Sequence, residues 1–86
     1  ALTATPPTKA EIDEICSEVA KEFSLSGREA EILVLIARGY TTSTISTKLV
    51  ISPYTVNTHI RHIYEKMQIH KRSELLNYIN LQRSDF

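Results

Sequence analysis

A single cysteine, Cys16, stands in a chain of 86 residues. One thiol cannot build an internal disulfide framework, so the composition suits a reducing compartment, with the cytoplasm as the default location. Long apolar runs are missing too. Nothing approaches the roughly 20 residues needed to span a bilayer, and the opening ALTATPPTK has neither the basic region nor the apolar stretch of a signal peptide. Enzyme signatures are equally scarce: there is no GxSxG, no phosphate-binding loop and no CxxC, and Cys16 has no nearby basic residue to activate it. The three histidines are His59, His62 and His70. HxxH on a helix lacks the carboxylate or thiol that would complete a metal site. A chain this short buries only about 60% of its unfolded surface, which leaves little room for a catalytic cleft. Neither an enzyme nor a bound cofactor or metal is expected.

What is present reads as one small helical domain. Only two glycines and three prolines punctuate the chain, and between them apolar residues recur at helical spacing. The segment before Thr8 has the character of a linker, as in a domain belonging to a longer protein. Thr8 and Glu11 form a capping box, and Ile12, Ile15, Cys16, Val19, Ala20 and Phe23 make one stripe, which predicts an amphipathic helix over about 9–23. Cys16 lies within that stripe, so a buried, inert thiol is expected. The stripe itself has three destinations open to it: this domain, a second copy, or a preceding domain.

Ser26 and Glu29 form a second capping box, Leu25 can staple onto Ala30, and Gly39 is placed to end a helix over about 27–38. Ile32, Leu33, Val34, Leu35 and Ile36 make its middle apolar nearly all round, the mark of a central helix. A short helix follows over about 42–49, capped by Thr41, with Ile45 and Leu49 inward. After a brief break at Val50 and Ile51, Ser52 at the N-cap and Pro53 at the first helical position start another helix reaching about Met67. Two helices joined so tightly are a helix-turn-helix candidate. The last helix spans about 72–82.

Charge is unevenly spread although the formal total is zero. Residues 1–24 carry Glu11, Asp13, Glu14, Glu18 and Glu22 against Lys9 and Lys21, a net −3, so the remainder carries +3. Residues 48–72 hold Lys48, Arg61, Lys66, Lys71 and Arg72 against Glu65, a net +4. That asymmetry hints at a polyanionic partner. On the helix over 53–67, Val56, Ile60, Ile63 and Met67 fall on one side and must face the core. Tyr54, Thr58, Arg61 and Glu65 point away, flanked by Asn57 and His62. Amide, hydroxyl, guanidinium and imidazole groups are the types that bond to base edges and phosphates. Ser52 and Thr55 lie at the N-terminal end, where free backbone N–H groups favour an anion.

The stretch LSGREAEILVLIARGYTTSTISTKLVISPYTVNTHIRHIYEKMQIHKRSEL resembles the LuxR-type helix-turn-helix, the DNA-binding domain of LuxR and NarL/FixJ regulators. The likeness covers about residues 25–79. It includes LSxRE at Leu25 to Glu29, ARG at Ala37 to Gly39, ISxxTVxTHI at Ile51 to Ile60, IYEKM at Ile63 to Met67, and Arg72 with Glu74 and Leu75. The resemblance implies an all-α fold: a four-helix domain over 25–86, preceded here by residues 1–24, a linker and an additional amphipathic helix. It implies that the helix over 53–67 enters the major groove of double-stranded DNA and that the helix over 72–82 serves dimerisation. Carried over position by position, it places base contacts at Asn57, Thr58 and Arg61 and phosphate contacts near Thr41, Ser43, Thr55 and Lys66. Tyr54 and His62 join them from the outer-face geometry.

The sequence departs from the family pattern at four places. Asn57 stands where lysine is usual, Ser46 where alanine is, Thr44 where an acid would complete a capping box, and Lys71 where serine usually caps the last helix. The family also implies a sensor or receiver domain upstream, which in some members attaches the whole protein to a membrane, and it makes RNA polymerase a further candidate partner. Dimerisation on DNA is expected through Tyr78 and Leu81, which fall on a different side of the last helix from Leu75, Leu76 and Ile79. The competing reading is a helix-turn-helix retained as a protein-interaction module without DNA binding.

Overall fold

In the computed structural model, which describes residues 8–82, the caps read from the sequence set where helices begin. Thr8 Oγ1 accepts from the Glu11 N–H at 3.1 Å while the Glu11 carboxylate accepts from the Thr8 N–H at 2.8 Å. That box opens α1, Lys9–Glu22. Ser26 and Glu29 repeat the reciprocal arrangement at 3.2 and 2.9 Å and open α2, Gly27–Ala37. Each box satisfies two of the N–H groups that a helix end leaves orphaned. Thr41 caps α3, Thr42–Leu49, and Ser52 caps α4, Pro53–Met67. Lysine has no acceptor to offer at position 71. Glu74 takes over by accepting the backbone N–H groups of His70 and Lys71, and α5 runs Arg72–Leu81. Those bonds, that from His70 first, hold the Glu74 carboxyl below its ordinary value.

Three helices end one residue before the sequence reading placed their ends, because Phe23, Arg38 and Gln82 are C-cap residues. Gly39 closes α2 at φ 95°, a conformation that costs glycine little. The turn between α3 and α4 instead uses Val50 at φ 56°. A β-branched residue in the left-handed region is strained by about 1–2 kcal/mol. The Ile51 N–H, bonded to the Ser46 carbonyl at 3.1 Å, holds it there. The Val50 side chain is 88% exposed.

The core is drawn from every helix. Ile32, Leu33 and Ile36 of α2 lie fully buried with Ile45 of α3, Val56 and Ile63 of α4 and Leu75 of α5. α2 packs on α1 and α4, as its nearly all-round apolar middle required. Ile60 and Leu76, both expected inside, are only half-buried at the edge of this core. Among the described residues, no helix is long and apolar enough to cross a membrane.

α1 takes the first of its three destinations. Cys16 and Val19 are buried in the core. Asp13 receives a two-pronged ion pair from Arg38 at 2.7 and 2.9 Å, and Phe23 meets the Tyr78 ring edge-on at 5.6 Å. Burial, with Asp13 adding to it and Arg38 opposing, pushes the Cys16 thiol up to about 11, so it stays protonated and unreactive.

Two polar ties fix α4 and α5 relative to α2. The Arg72 guanidinium donates to the Tyr40 carbonyl at 2.6 Å and the Ile36 carbonyl at 3.4 Å, satisfying the end of α2. The Lys66 ammonium sits 2.7 Å from Glu29 Oε1, the same oxygen that receives the Ser26 N–H. Burial alone would raise the Glu29 pKa, but the Lys66 hydrogen bond and the Ser26 backbone hold it below its ordinary 4.5. A folded pKa below the unfolded one means the brace acts at full strength above about pH 4.5 and is lost as pH falls through the folded value. Discounting for the half-exposed lysine, Glu29→Gln should lower the unfolding free energy at neutral pH by about 1–2 kcal/mol. Urea denaturation at a series of pH values tests this: wild type and variant should converge on acidification, and a constant gap would remove the ion pair as its cause.

Candidate nucleic-acid interface

α3 and α4 meet at the tight Val50 turn, and α4 presents one side to the core and the other to solvent. Val56, Ile63 and Met67 are buried, whereas Tyr54, Asn57, Arg61, His62 and Glu65 are exposed and Thr58 is half-buried. Helical spacing alone required this division, and the structure reproduces it for each of these residues except Thr58, which was expected to point away and lies at the margin. α4 packs on both α2 and α3, which fixes the backbone that carries the exposed row.

Hydrogen-bonding capacity is divided unevenly along the row. The side chains of Asn57 and Arg61 make no hydrogen bond or ion pair among the described residues, so an amide and a guanidinium stand open to solvent. The hydroxyls are occupied. Thr58 donates to the Tyr54 carbonyl at 3.0 Å, and Ser52 and Thr55 pair with each other at 3.0 Å. At the start of α3, Thr41 donates to Thr44 Oγ1 at 3.1 Å while its own oxygen caps the Thr44 N–H. Thr44 meets the Thr41 hydroxyl rather than its backbone N–H, so the capping box that an acid would complete is not formed. Ser43 is exposed in the first turn of α3, where its carbonyl receives the Thr47 hydroxyl at 3.2 Å.

The basic residues are also committed to different degrees. Lys66 faces Glu29 and reaches the Ser24 carbonyl at 3.4 Å, so the charge expected against a phosphate is already paired within the fold. His62 Nδ1 lies 3.8 Å from the other Glu29 oxygen, close enough for an ion pair once the ring is protonated. Lys48 sits over the Tyr40 ring at 5.0 Å. His59 packs inward: its Nδ1 is shielded and has no hydrogen-bond partner among the described residues. No group of three or more His, Cys, Asp or Glu side chains among those residues is arranged to hold a metal ion.

Tyr78, expected with Leu81 to serve dimerisation, has a partner inside the domain: its hydroxyl donates to Glu22 at 2.6 Å and its ring meets Phe23. The Glu22 carboxylate, with burial, raises the phenol's pKa. Sequence reasoning missed this because it left the destination of α1 open. Leu81 remains 78% exposed. Glu29 was likewise read only as a cap. Its second role, bracing the outward-facing helix through Lys66, had no local signal.

Comparison with known proteins bears on what this face does. The pattern defining the family described as bacterial regulatory proteins, luxR family, matches residues 23–79. The chain is 40% identical over 70 residues to the oxygen regulatory protein NreC of Staphylococcus epidermidis, covering 81% of this chain and 32% of that protein. To NreC of Staphylococcus carnosus and of Staphylococcus haemolyticus it is 46% identical over 54 residues, 63% of this chain and 25% of each relative. It thus spans between a quarter and a third of the length of these curated relatives. No solved structure matches.

Proposed function

This chain belongs to the luxR family of bacterial regulatory proteins, as a helix-turn-helix domain of a transcriptional regulator and not an enzyme, and we propose that it reads specific double-stranded DNA with α4 in the major groove. The observation that carries this reading is the open amide and guanidinium of Asn57 and Arg61, held one turn apart on the exposed side of a helix whose other side is locked in the core. Such groups match the acceptors of purine edges: Arg pairs with guanine and Asn with adenine. The backbone N–H groups at the starts of α3 and α4, around Thr41, Ser43 and Thr55, suit phosphate oxygens, which position the helix without reading sequence. Tyr54 and His62 flank the row as accessory contacts. Lys66 serves mainly to position α4, its charge reaching the phosphates only secondarily.

Two further elements belong to the proposal. A single helix-turn-helix reads a short half-site, so the domain binds as a homodimer on paired half-sites. The contact is assigned to the exposed Leu81 end of α5, beside Tyr78, whose ring is already packed on α1. The greater length of the NreC relatives supports a role as the output half of a longer regulator, with a sensor or receiver domain upstream and RNA polymerase as downstream partner. Its place of action is the cytoplasm, where bacterial DNA lies.

Arg61→Ala should weaken binding to a preferred duplex by about 1–3 kcal/mol and relax preference at one or two positions, with little effect on scrambled DNA. Fluorescence titrations against both duplexes, repeated at several salt concentrations, read this out. Binding should weaken linearly in log–log salt plots. An equal loss on both duplexes would move Arg61 to the phosphates, and absence of any salt-dependent binding would favour the protein-interaction alternative. For assembly, Leu81→Ala should abolish cooperative occupancy of paired half-sites in gel shifts while single half-site binding and the circular dichroism spectrum stay unchanged. Retained cooperativity would place the dimer contact away from α5.

A further inference from the structure

We propose that His62 couples DNA binding to the uptake of a proton, its charged ring bridging the Glu29 carboxylate and the DNA backbone. The assignment rests on the DNA-binding reading above and deepens it to a regulation of that site by pH. The Glu29 side chain is 7% exposed, and its two oxygens are used unequally. Oε1 receives both the Ser26 N–H at 2.9 Å and the Lys66 ammonium at 2.7 Å. Oε2 receives no hydrogen bond among the described residues, and His62 Nδ1 lies 3.8 Å from it. A neutral imidazole has one N–H to give, whereas an imidazolium has two. The protonated ring can therefore serve Oε2 through one nitrogen and keep a donor for a second anion. Nδ1 faces α2, so Nε2 is the nitrogen left for a partner outside the fold.

The charges that bear on this ring come from α4 and from the two helices packed on it. On α4, Glu65 and Lys66 lie one turn on, His59 one turn back and Arg61 alongside. On α2, Glu29 is the near group, while Arg28 and Glu31 pair with each other at 3.4 Å. On α3, Lys48 sits over the Tyr40 ring. Glu29 favours the charged ring, and Lys66, bound to the same carboxylate, opposes it. A DNA phosphate arriving from outside adds a second negative charge, so the complex favours the charged ring more than the free domain does. A proton held more tightly in the complex makes the complex tighter as pH falls, because the two equilibria are linked.

The experiment takes the 86-residue chain and a duplex selected with it from a random pool. Calorimetric titration near neutral pH, repeated in buffers of different ionisation enthalpy, counts the protons exchanged without any variant. It should show net uptake of up to about one proton per bound domain. Fluorescence titrations at constant salt should show affinity rising about tenfold from about pH 8 to about pH 6, the range in which histidine changes charge. His62→Gln, which keeps a polar side chain without a titrating nitrogen, should flatten that rise and remove the uptake. His70→Gln should leave both unchanged. Glu29→Gln should lessen the rise, because the charged ring then loses the carboxylate that holds it. Thermal melts at each pH separate these effects from unfolding, and the wild-type proton count stands without the variants. Proton release or no exchange, a rise that survives His62→Gln or persists in full in Glu29→Gln, or a rise lost in His70→Gln would each overturn the assignment while leaving DNA binding intact. Failure to enrich or bind any duplex would overturn the DNA-binding reading itself.

Discussion

Glu29 is where the capping of one helix and the placement of another meet. Its carboxylate is buried, and one oxygen receives both the Ser26 N–H that begins α2 and the Lys66 ammonium near the end of α4. A buried carboxylate without partners would be costly, and removing one partner of such a pair is usually worse than never having had it. With the cap in place, Glu29 is held where the Lys66 ammonium reaches the same oxygen that caps α2. α4 is held at its C-terminal half by this tie, and in its middle by Val56 and Ile63 in the core. Its outward row inherits the rigidity of both.

That rigidity matters because of how hydrogen bonds are distributed over the face. Threonine and serine crowd α3 and the start of α4, yet their hydroxyls mostly bond to one another or to their own backbone. The result is a scaffold whose polar groups are internally satisfied, leaving the longer Asn57 and Arg61 side chains as the open donors. Groups already held in place lose less freedom on binding, and mutually bonded hydroxyls do not compete with the bases for their acceptors. A reader built this way has few contacts, each with a defined chemical preference.

The family pattern begins at residue 23, but the folded unit begins earlier. α1 adds two buried side chains to the core, an ion pair to the end of α2 through Asp13 and Arg38, and a hydrogen bond to α5 through Glu22 and Tyr78. These contacts fall in both halves of the helix, Asp13 in its N-terminal half and Glu22 at its last residue. α1 also occupies the side of α5 that carries Tyr78, which leaves the Leu81 end as the open part of that helix.

Helix positions, the Thr8, Ser26, Thr41 and Ser52 caps, the two-sided character of α4 and the family likeness were all determined by the sequence itself. The physical reason is locality: caps act across three residues and helical faces repeat every three or four, so both are written in neighbouring letters. Even the exposure of Asn57 and Arg61 follows from that period. The pairings that assemble the helices were decided only by tertiary structure. Lys66 finds Glu29 across 37 positions, Arg72 finds the Tyr40 carbonyl across 32, and Tyr78 finds Glu22 across 56. No periodicity links residues so far apart. Their partners are set by how buried stripes pack, and packing selects among many charges and carbonyls that the sequence leaves equivalent.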